Sequence, residues 1–210
     1  MLDGFYVAKF EKVSLEQFKK DMHEHIKDNV QRYGITVHYH ELVMMNNDGY
    51  STKVTDESFD KFCESIYQNI KLPTRATHKS AGYDFFIPFG LILRRKQDII
   101  IPTGIRCSML DGYSLDIYPK SGLGFKYNLK ICNTIGIVDA DYYDSSNEGH
   151  IMVKLENVGY SRILLGESPH IDFPEGKSFV QGIFHEVFQA SNDEDNTELK
   201  TRDGGFGSTN

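Results

Sequence analysis

Ile131-Cys132-Asn133-Thr134-Ile135-Gly136-Ile137-Val138-Asp139-Ala140-Asp141-Tyr142 is an apolar, β-branched run that ends in a carboxylate. Residues 131–138 read as a strand, and Asp139 falls just before a turn. A carboxylate on an apolar strand is costly unless it is paired or solvated at a site. Tyr142, three residues on, can offer a flat ring to a ligand. Asn133 can donate and accept hydrogen bonds at the same pocket. Taken alone, the stretch reads equally well as a plain strand end, because Asp is a common turn residue.

The same texture extends outward in both directions. Residues 83–87, 91–93, 99–101, 113–118, 150–155, 163–165 and 179–188 are short apolar runs punctuated by Gly, Pro or Asp-Gly. Many short strands at this spacing predict a jelly roll or barrel. The chain changes character before Pro73. Residues 5–10 read as a strand, and Ser14-Leu15-Glu16-Gln17 is a capping-box pattern. Leu15, Phe18, Met22, Ile26, Val30 and Tyr33 then recur at helical spacing, with Gly34 as the stop. Residues 35–43 have strand content. Thr55 can cap a second helix carrying Phe59, Phe62, Ile66 and Ile70, ended by Pro73. Residues 189–203 are polar and acidic, and the terminal Gly-rich stretch should be mobile in the free protein. The expected architecture is an all-β core with an N-terminal helical part, α+β overall.

Composition narrows the partners. The 210 residues, 40% hydrophobic, suffice for one core. A formal charge of −7 with no basic stripe argues against a nucleic-acid groove. No apolar run is long enough to span a membrane. Three cysteines, Cys63, Cys107 and Cys132, lack metal-ligand spacing and read as reduced thiols of a cytoplasmic protein. His23, His25, His38 and His40 have a metal-like spacing, but no paired Cys or carboxylate completes a site. The Arg94-Arg95-Lys96 run reads as a solvated turn.

Five segments could carry chemistry. Ala81-Gly82-Tyr83-Asp84 places a carboxylate after a glycine. Pro119-Lys120-Ser121-Gly122-Leu123-Gly124 is a turn whose cation, hydroxyl and N–H groups suit phosphate oxygens. The third spans Asn133 to Tyr142. Gly176-Lys177-Ser178-Phe179-Val180-Gln181 puts an amide on a strand. Arg202-Asp203-Gly204-Gly205-Phe206-Gly207-Ser208 combines an anion-pairing Arg, pliable backbone and a ring that can stack on a base.

In this order the five segments resemble the five motifs of the trimeric dUTPase family (dUTP diphosphatases), over about two-thirds of the chain. The resemblance implies a β-clip, jelly-roll-like barrel in a homotrimer with active sites at subunit interfaces. It implies hydrolysis of dUTP to dUMP and pyrophosphate, which limits uracil in DNA and supplies dUMP for dTMP synthesis. Asp139 would orient the water that attacks the α-phosphorus. Tyr142 would lie against the deoxyribose and reject a 2′-hydroxyl. Asn133, with main-chain groups around Gly136 and Met152, would meet the uracil. Asp84 would hold a water of a Mg²⁺ chelated by the triphosphate. Lys120, Ser121, Gly122 and Gln181 would contact phosphates. Arg202 would clamp the γ-phosphate, Phe206 cap the uracil, and Gly207 and Ser208 complete the cradle, with residues 189–210 closing over a neighbour's site.

The chain departs from the family pattern in several places. Lys120 stands where most members have Arg, Ser178 where the fourth motif has Arg, and the loop 143–149 is long. Arg202 is one residue closer to Phe206 than in many members, and Asn210 replaces the final motif Gly. Residues 11–70 exceed the family core and read as an α/β insertion within one domain of residues 1–210. Two alternatives stay open. Glu148-Gly149-His150-Ile151 resembles a dCTP deaminase, alone or bifunctional, although Lys154 stands where that family needs Glu, with Glu156 two positions away. A regulatory or scaffold protein on the same fold could bind a protein partner through residues 11–70 and the loop 143–149.

Overall fold

The computed structural model describes residues 6–27, 36–39, 42–44, 55–159 and 170–191. Every strand pairing among them is antiparallel. In chain order the strands are β1 (Ala8–Lys12), β2 (Thr36–Tyr39), β3 (Leu42–Met44), β4 (Tyr83–Phe86), β5 (Gly90–Arg94), β6 (Asp98–Pro102) and β7 (Ile105–Met109). They continue with β8 (Tyr113–Pro119), β9 (Leu129–Ile131), β10 (Gly136–Asp139), β11 (Met152–Asn157), β12 (His170–Phe173) and β13 (Ser178–Glu186). The α-helices are α1 (Leu15–Met22), continued by a π turn His23–Lys27, α2 (Asp56–Asn69) and α3 (Ser121–Tyr127).

The described strands form four sheets, ordered β1-β7, β10-β8-β13-β4, β6-β11-β9 and β12-β5-β2-β3. The fold is β-rich and jelly-roll-like, but the described strands do not close into a barrel. The expected single strand over 131–138 is two strands in two different sheets. Cys132 to Ile135 make the switch, with Thr134 at φ 65°. Leu129 and Ile131 belong to one sheet and Val138 to the other, all three buried in a common core, so one continuous strand could not serve both sheets. β7, β12 and the short helix α3 were not expected from the pattern. The expected strand over 163–165 lies outside the described residues. The first strand begins three residues later than expected, at Ala8.

The helices join the same core. Phe18, Met22 and Ile26 on one side and Phe59, Phe62 and Ile66 on the other are buried with Phe85, Leu91, Leu115 and Leu155 in one apolar cluster. Thr55 caps α2 as its sequence predicts, accepting from Ser58 N at 3.2 Å. The helix ends at Asn69, where Ile70 turns extended and seats its side chain in the core. The predicted helix from Leu15 is regular only to Met22, and residues 28–35 lie outside the described set. Among the described residues, no helix is long and apolar enough to cross a membrane.

Candidate functional site

The sheet β10-β8-β13-β4 carries the site residues on one face. Its registers pair Asp84 with Gln181, Gln181 with Tyr118, Asp116 with Ile183 and Ile137, and Ser114 with His185 and Asp139. Cross-strand partners share a face and neighbours along a strand alternate. Leu115, Ile117, Val138 and Val180 therefore point to the core, where they are buried. Asp84, Gln181 and Asp139 all point away from it.

A bulge makes the first half of the site. Relative to β4, β13 slips between Ser178 and Val180, so Phe179 is an extra residue. Phe179 and Val180 are consecutive and both fully buried. In a regular strand Ser178 and Gln181 would face opposite sides, but the bulge brings both to the face of Asp84. Lys120, which precedes α3, donates to Asp84 Oδ2 at 2.6 Å and to Ser178 Oγ at 3.0 Å. The ion pair is largely enclosed, with the Asp84 side chain 14% exposed. Gly82 lets Gln181 lie close, since a Cβ there would stand 2.9 Å from Gln181 Oε1. Helix α3 has no side-chain N-cap, and its first N–H groups, at Ser121 and Gly122, adjoin Lys120. Beside them is an open cleft of about 190 Å³ lined by Lys120, Gly122, Leu123, Lys126, Tyr127, Lys177 and Ser178. Lys177 sits over the Tyr127 ring at 4.2 Å and bonds its hydroxyl. Lys120, Lys126 and Lys177 thus concentrate positive charge around one cleft of an acidic protein. Ser178 belongs to this group, although its sequence position marks it only as a departure.

The second half is the turn after β10. Asp139 is half-buried and stands at the start of the 3-10 turn Ala140–Asp144, with no capping bond from its side chain. Asn133 is exposed, and its Nδ2 lies 3.7 Å from where a Gly136 Cβ would stand. Ile137, on the same face as Asp139, is 64% exposed. Tyr142 is buried apart from 6% of its surface. Its hydroxyl donates to the His150 carbonyl at 2.8 Å and accepts from Asn147 Nδ2 at 2.8 Å. Only a limited part of that ring is therefore open to a ligand. Met152 begins β11 and pairs with Pro102, on a different sheet from Gly136. Arg202, Phe206, Gly207 and Ser208 lie outside the described residues.

The two halves stand apart within one chain. Asp139 pairs opposite Ser114 and Lys120 follows Pro119, at opposite ends of β8. Five residues of strand separate those ends, about 17 Å. The carboxylate–lysine–amide cluster and the Asp139 turn do not meet in a single protomer.

The turn is anchored from the N-terminal segment. Glu148 accepts from Ser14 N and Ser14 Oγ, both at 2.7 Å, while Ser14 Oγ accepts from Gln17 N at 3.1 Å. The predicted capping box is thus completed by a residue 134 positions away, and Gln17 turns instead to Asp21 Oδ2 at 2.9 Å. Burial works against the Glu148 carboxylate, but the two Ser14 bonds, with Arg106 and His150 nearby, hold its pKa below the usual range. Arg106 stacks 3.6 Å above the Tyr143 ring and donates to the Tyr143 carbonyl at 2.8 Å. Tyr143 in turn donates to Glu11 at 2.6 Å. The Ser14–Glu148, Arg106–Tyr143 and Tyr143–Glu11 partners are not legible in the sequence, because each spans more than thirty positions between elements of unrelated pattern.

The deaminase-like residues serve other ends. His150 is fully buried against Asp21. Lys154 pairs with Asp98 at 3.0 Å and Glu156 with Lys130 at 2.9 Å. His23 Nε2 is 2.6 Å from Asp60. Asp21, Glu24 and His25 bring ligand atoms within 4.8 Å of one another, but Asp21 Oδ2 is already shared by His150 and Gln17. Cys63 and Cys107 are buried, which pushes both thiols up to about 12, while Cys132 is exposed.

Fold and side chains together define a β-rich, jelly-roll-like protein with a lysine-lined cleft at one end of a sheet and a carboxylate-bearing turn at the other. Residues 68–210 match the dUTPase family. The deoxyuridine 5'-triphosphate nucleotidohydrolase of Lactococcus lactis subsp. lactis is 34% identical over 146 residues, covering 68% of this chain and 91% of the relative. That of Ehrlichia canis is 32% identical over 143 residues, covering 67% and 88%. The crystal structure of dUTPase from Streptococcus mutans aligns with a TM-score of 0.51 at 27% identity, over 59% of this chain and 91% of that one. The chain belongs to the dUTPase family.

Proposed function

We propose that the protein hydrolyses dUTP to dUMP and pyrophosphate in sites shared between copies of the chain in a homotrimer. The observation that carries this reading is the convergence of Asp84, Lys120, Ser178 and Gln181, distant in sequence, at the start of α3. The same face presents Asp139 too far away to act on a ligand held there by the same copy. A neighbouring copy supplies Asp139, Tyr142 and Asn133, and the tail of a copy closes the site. The exposed Ile137 beside Asp139 fits such a contact. Closure of the four sheets into a β-clip barrel accompanies that assembly, with residues 11–70 as an insertion in one domain.

Asp139 accepts a hydrogen bond from the attacking water and aims it at the α-phosphorus, and pyrophosphate leaves in line. This is mostly positioning, since an ordinary carboxylate is a weak base. Lys120, Ser121, Gly122 and Gln181 hold phosphate oxygens. Lys120 does so as a point charge already steered by Asp84 and Ser178, where Arg would act bidentately. Asn133 and main-chain groups around Gly136 and Met152 read the uracil, and Tyr142 excludes a 2′-hydroxyl. Arg202 pairs with the γ-phosphate, Phe206 covers the uracil, and Gly207 and Ser208 complete the cradle.

The residues present fit Mg²⁺ carried by the triphosphate. One enclosed carboxylate, Asp84, held by a lysine cannot chelate the ion alone, but it can accept from a metal-bound water. Bound there, Mg²⁺ neutralises phosphate charge and fixes the triphosphate's geometry. Three free thiols suit a reducing compartment, and we place the protein in the cytoplasm.

The test is product analysis with Mg²⁺ and dUTP, dCTP, dTTP or UTP offered separately. dUMP and pyrophosphate from dUTP alone are expected. Ammonia from dCTP, or no turnover of any nucleotide, would refute the reading.

A further inference from the structure

Two buried polar side chains have no part in the hydrolysis described above. Asp21, on α1, is 3% exposed and His150 is fully buried. His150 Nε2 accepts from the Gly104 N–H at 2.7 Å, so the ring proton sits on Nδ1 and is donated to Asp21 Oδ2 at 2.5 Å. Asp21 therefore fixes both the tautomer and the plane of the ring. The main chain of the same histidine accepts the Tyr142 hydroxyl at 2.8 Å. A continuous line of hydrogen bonds thus runs from α1 through His150 to the ring that Proposed function places against the sugar. Glu148, two residues before His150, receives the start of α1 through Ser14. α1 lies outside the stretch matched to the family, residues 68–210.

We propose that α1 is a positioning element for the nucleotide site, with Asp21 as its positioning residue, and that it sets sugar discrimination by holding Tyr142 through His150. The inference rests on the reading of Tyr142 as the sugar-facing ring. Loss of the Asp21 acceptor leaves a buried Nδ1–H unpaired, and the ring can relieve that only by moving. Its backbone carbonyl then shifts under the Tyr142 hydroxyl. A mere loss of folded enzyme would act differently, lowering turnover of every nucleotide alike.

The test is the ratio of kcat/KM for dUTP to that for UTP, measured on the full chain. This ratio does not depend on the folded fraction. Asp21→Ala should lower it about tenfold or more, since small misplacements far from the chemistry have large effects. Asp21→Asn keeps an acceptor for Nδ1–H and should recover most of the ratio. Glu148→Gln, at the more accessible anchor, should lower it about fivefold. Lys19→Ala removes a surface pair of α1 with Glu64 and should leave it unchanged. Wild-type ratios in both Asp21→Ala and Glu148→Gln overturn the inference. If Asp21→Ala does not fold, an unchanged ratio in Glu148→Gln does so by itself. Wild-type protein that fails to prefer dUTP defeats the functional reading as well, whereas a preference that survives every variant defeats this inference alone.

Discussion

The two ends of the sheet β10-β8-β13-β4 are built in different ways. At the end of β4, β13 and α3, polar groups find one another inside a single chain. Lys120 is held by Asp84 and Ser178, and a bulge aims Gln181 at the same place. At the end of β10, Asp139 stands beside an exposed isoleucine, while the rest of its turn is fastened from behind by Ser14, Asp21 and Arg106. One end gathers its charged and polar groups within a single chain. The other is rigid but open on the side where a reaction would take place. On the function proposed above, chemistry that needs both ends takes them from two copies, and the anchors behind the open end hold its geometry in advance.

The largest effect is expected at Asp139. Asp139→Asn should fold normally and bind dUTP, yet lose about 10³-fold or more in pyrophosphate release, because a neutral amide has neither the charge nor the basicity to activate the water. Retained turnover would remove Asp139 from its role. At the other end, Lys120→Ala should lower kcat/KM about 10- to 100-fold through lost charge-assisted bonds. Mixing the two variants in refolded oligomers gives a sharper result. If each site takes its ends from different copies, equal mixing restores about a quarter of the sites. Activity no greater than the average of the two pure variants would show that each copy uses its own two ends.

Smaller effects test how the turn is held. Gly149 has φ 67°, and a Cβ there would meet Tyr143 Cα at 2.7 Å and Tyr142 O at 2.8 Å. Gly149→Ala should destabilise the fold by about 2 kcal/mol in denaturant unfolding. The Ser14–Glu148 latch has a pH signature. Because the folded pKa of Glu148 is lowered from 4.5, its contribution is present above that value and is lost as pH falls through the folded pKa. Stability of wild type and Glu148→Gln should therefore converge on acidification, with little change in their difference between pH 6 and 8. The smallest effect concerns the thiols. Iodoacetamide at pH 8 should label Cys132, in the link between β9 and β10, and spare Cys63 and Cys107, whose burial keeps them protonated. Labelling of three thiols in native protein would contradict the packing.

Local sequence pattern is enough for the β-rich class, the capped second helix, the strand that ends at Asp139, and the motifs shared with the dUTPase family. These follow from local rules: alternation along a strand, 3.6-residue spacing along a helix, and the side-chain chemistry of each motif. Only the tertiary structure decided where the run 131–138 breaks, because the break depends on which of two sheets each half joins. The bulge that turns Ser178 and Gln181 to one face was likewise illegible, since Phe179-Val180 reads equally well as ordinary strand. So was the substitution of Glu148 for Gln17 in the cap of α1, and the pairing of Asp21 with His150. Those contacts join positions 134 and 129 residues apart, and no local propensity encodes a partner at that range. They exist because burying Phe18 and Met22 in the common core brings α1 against the turn, where a buried carboxylate, once desolvated, requires a donor.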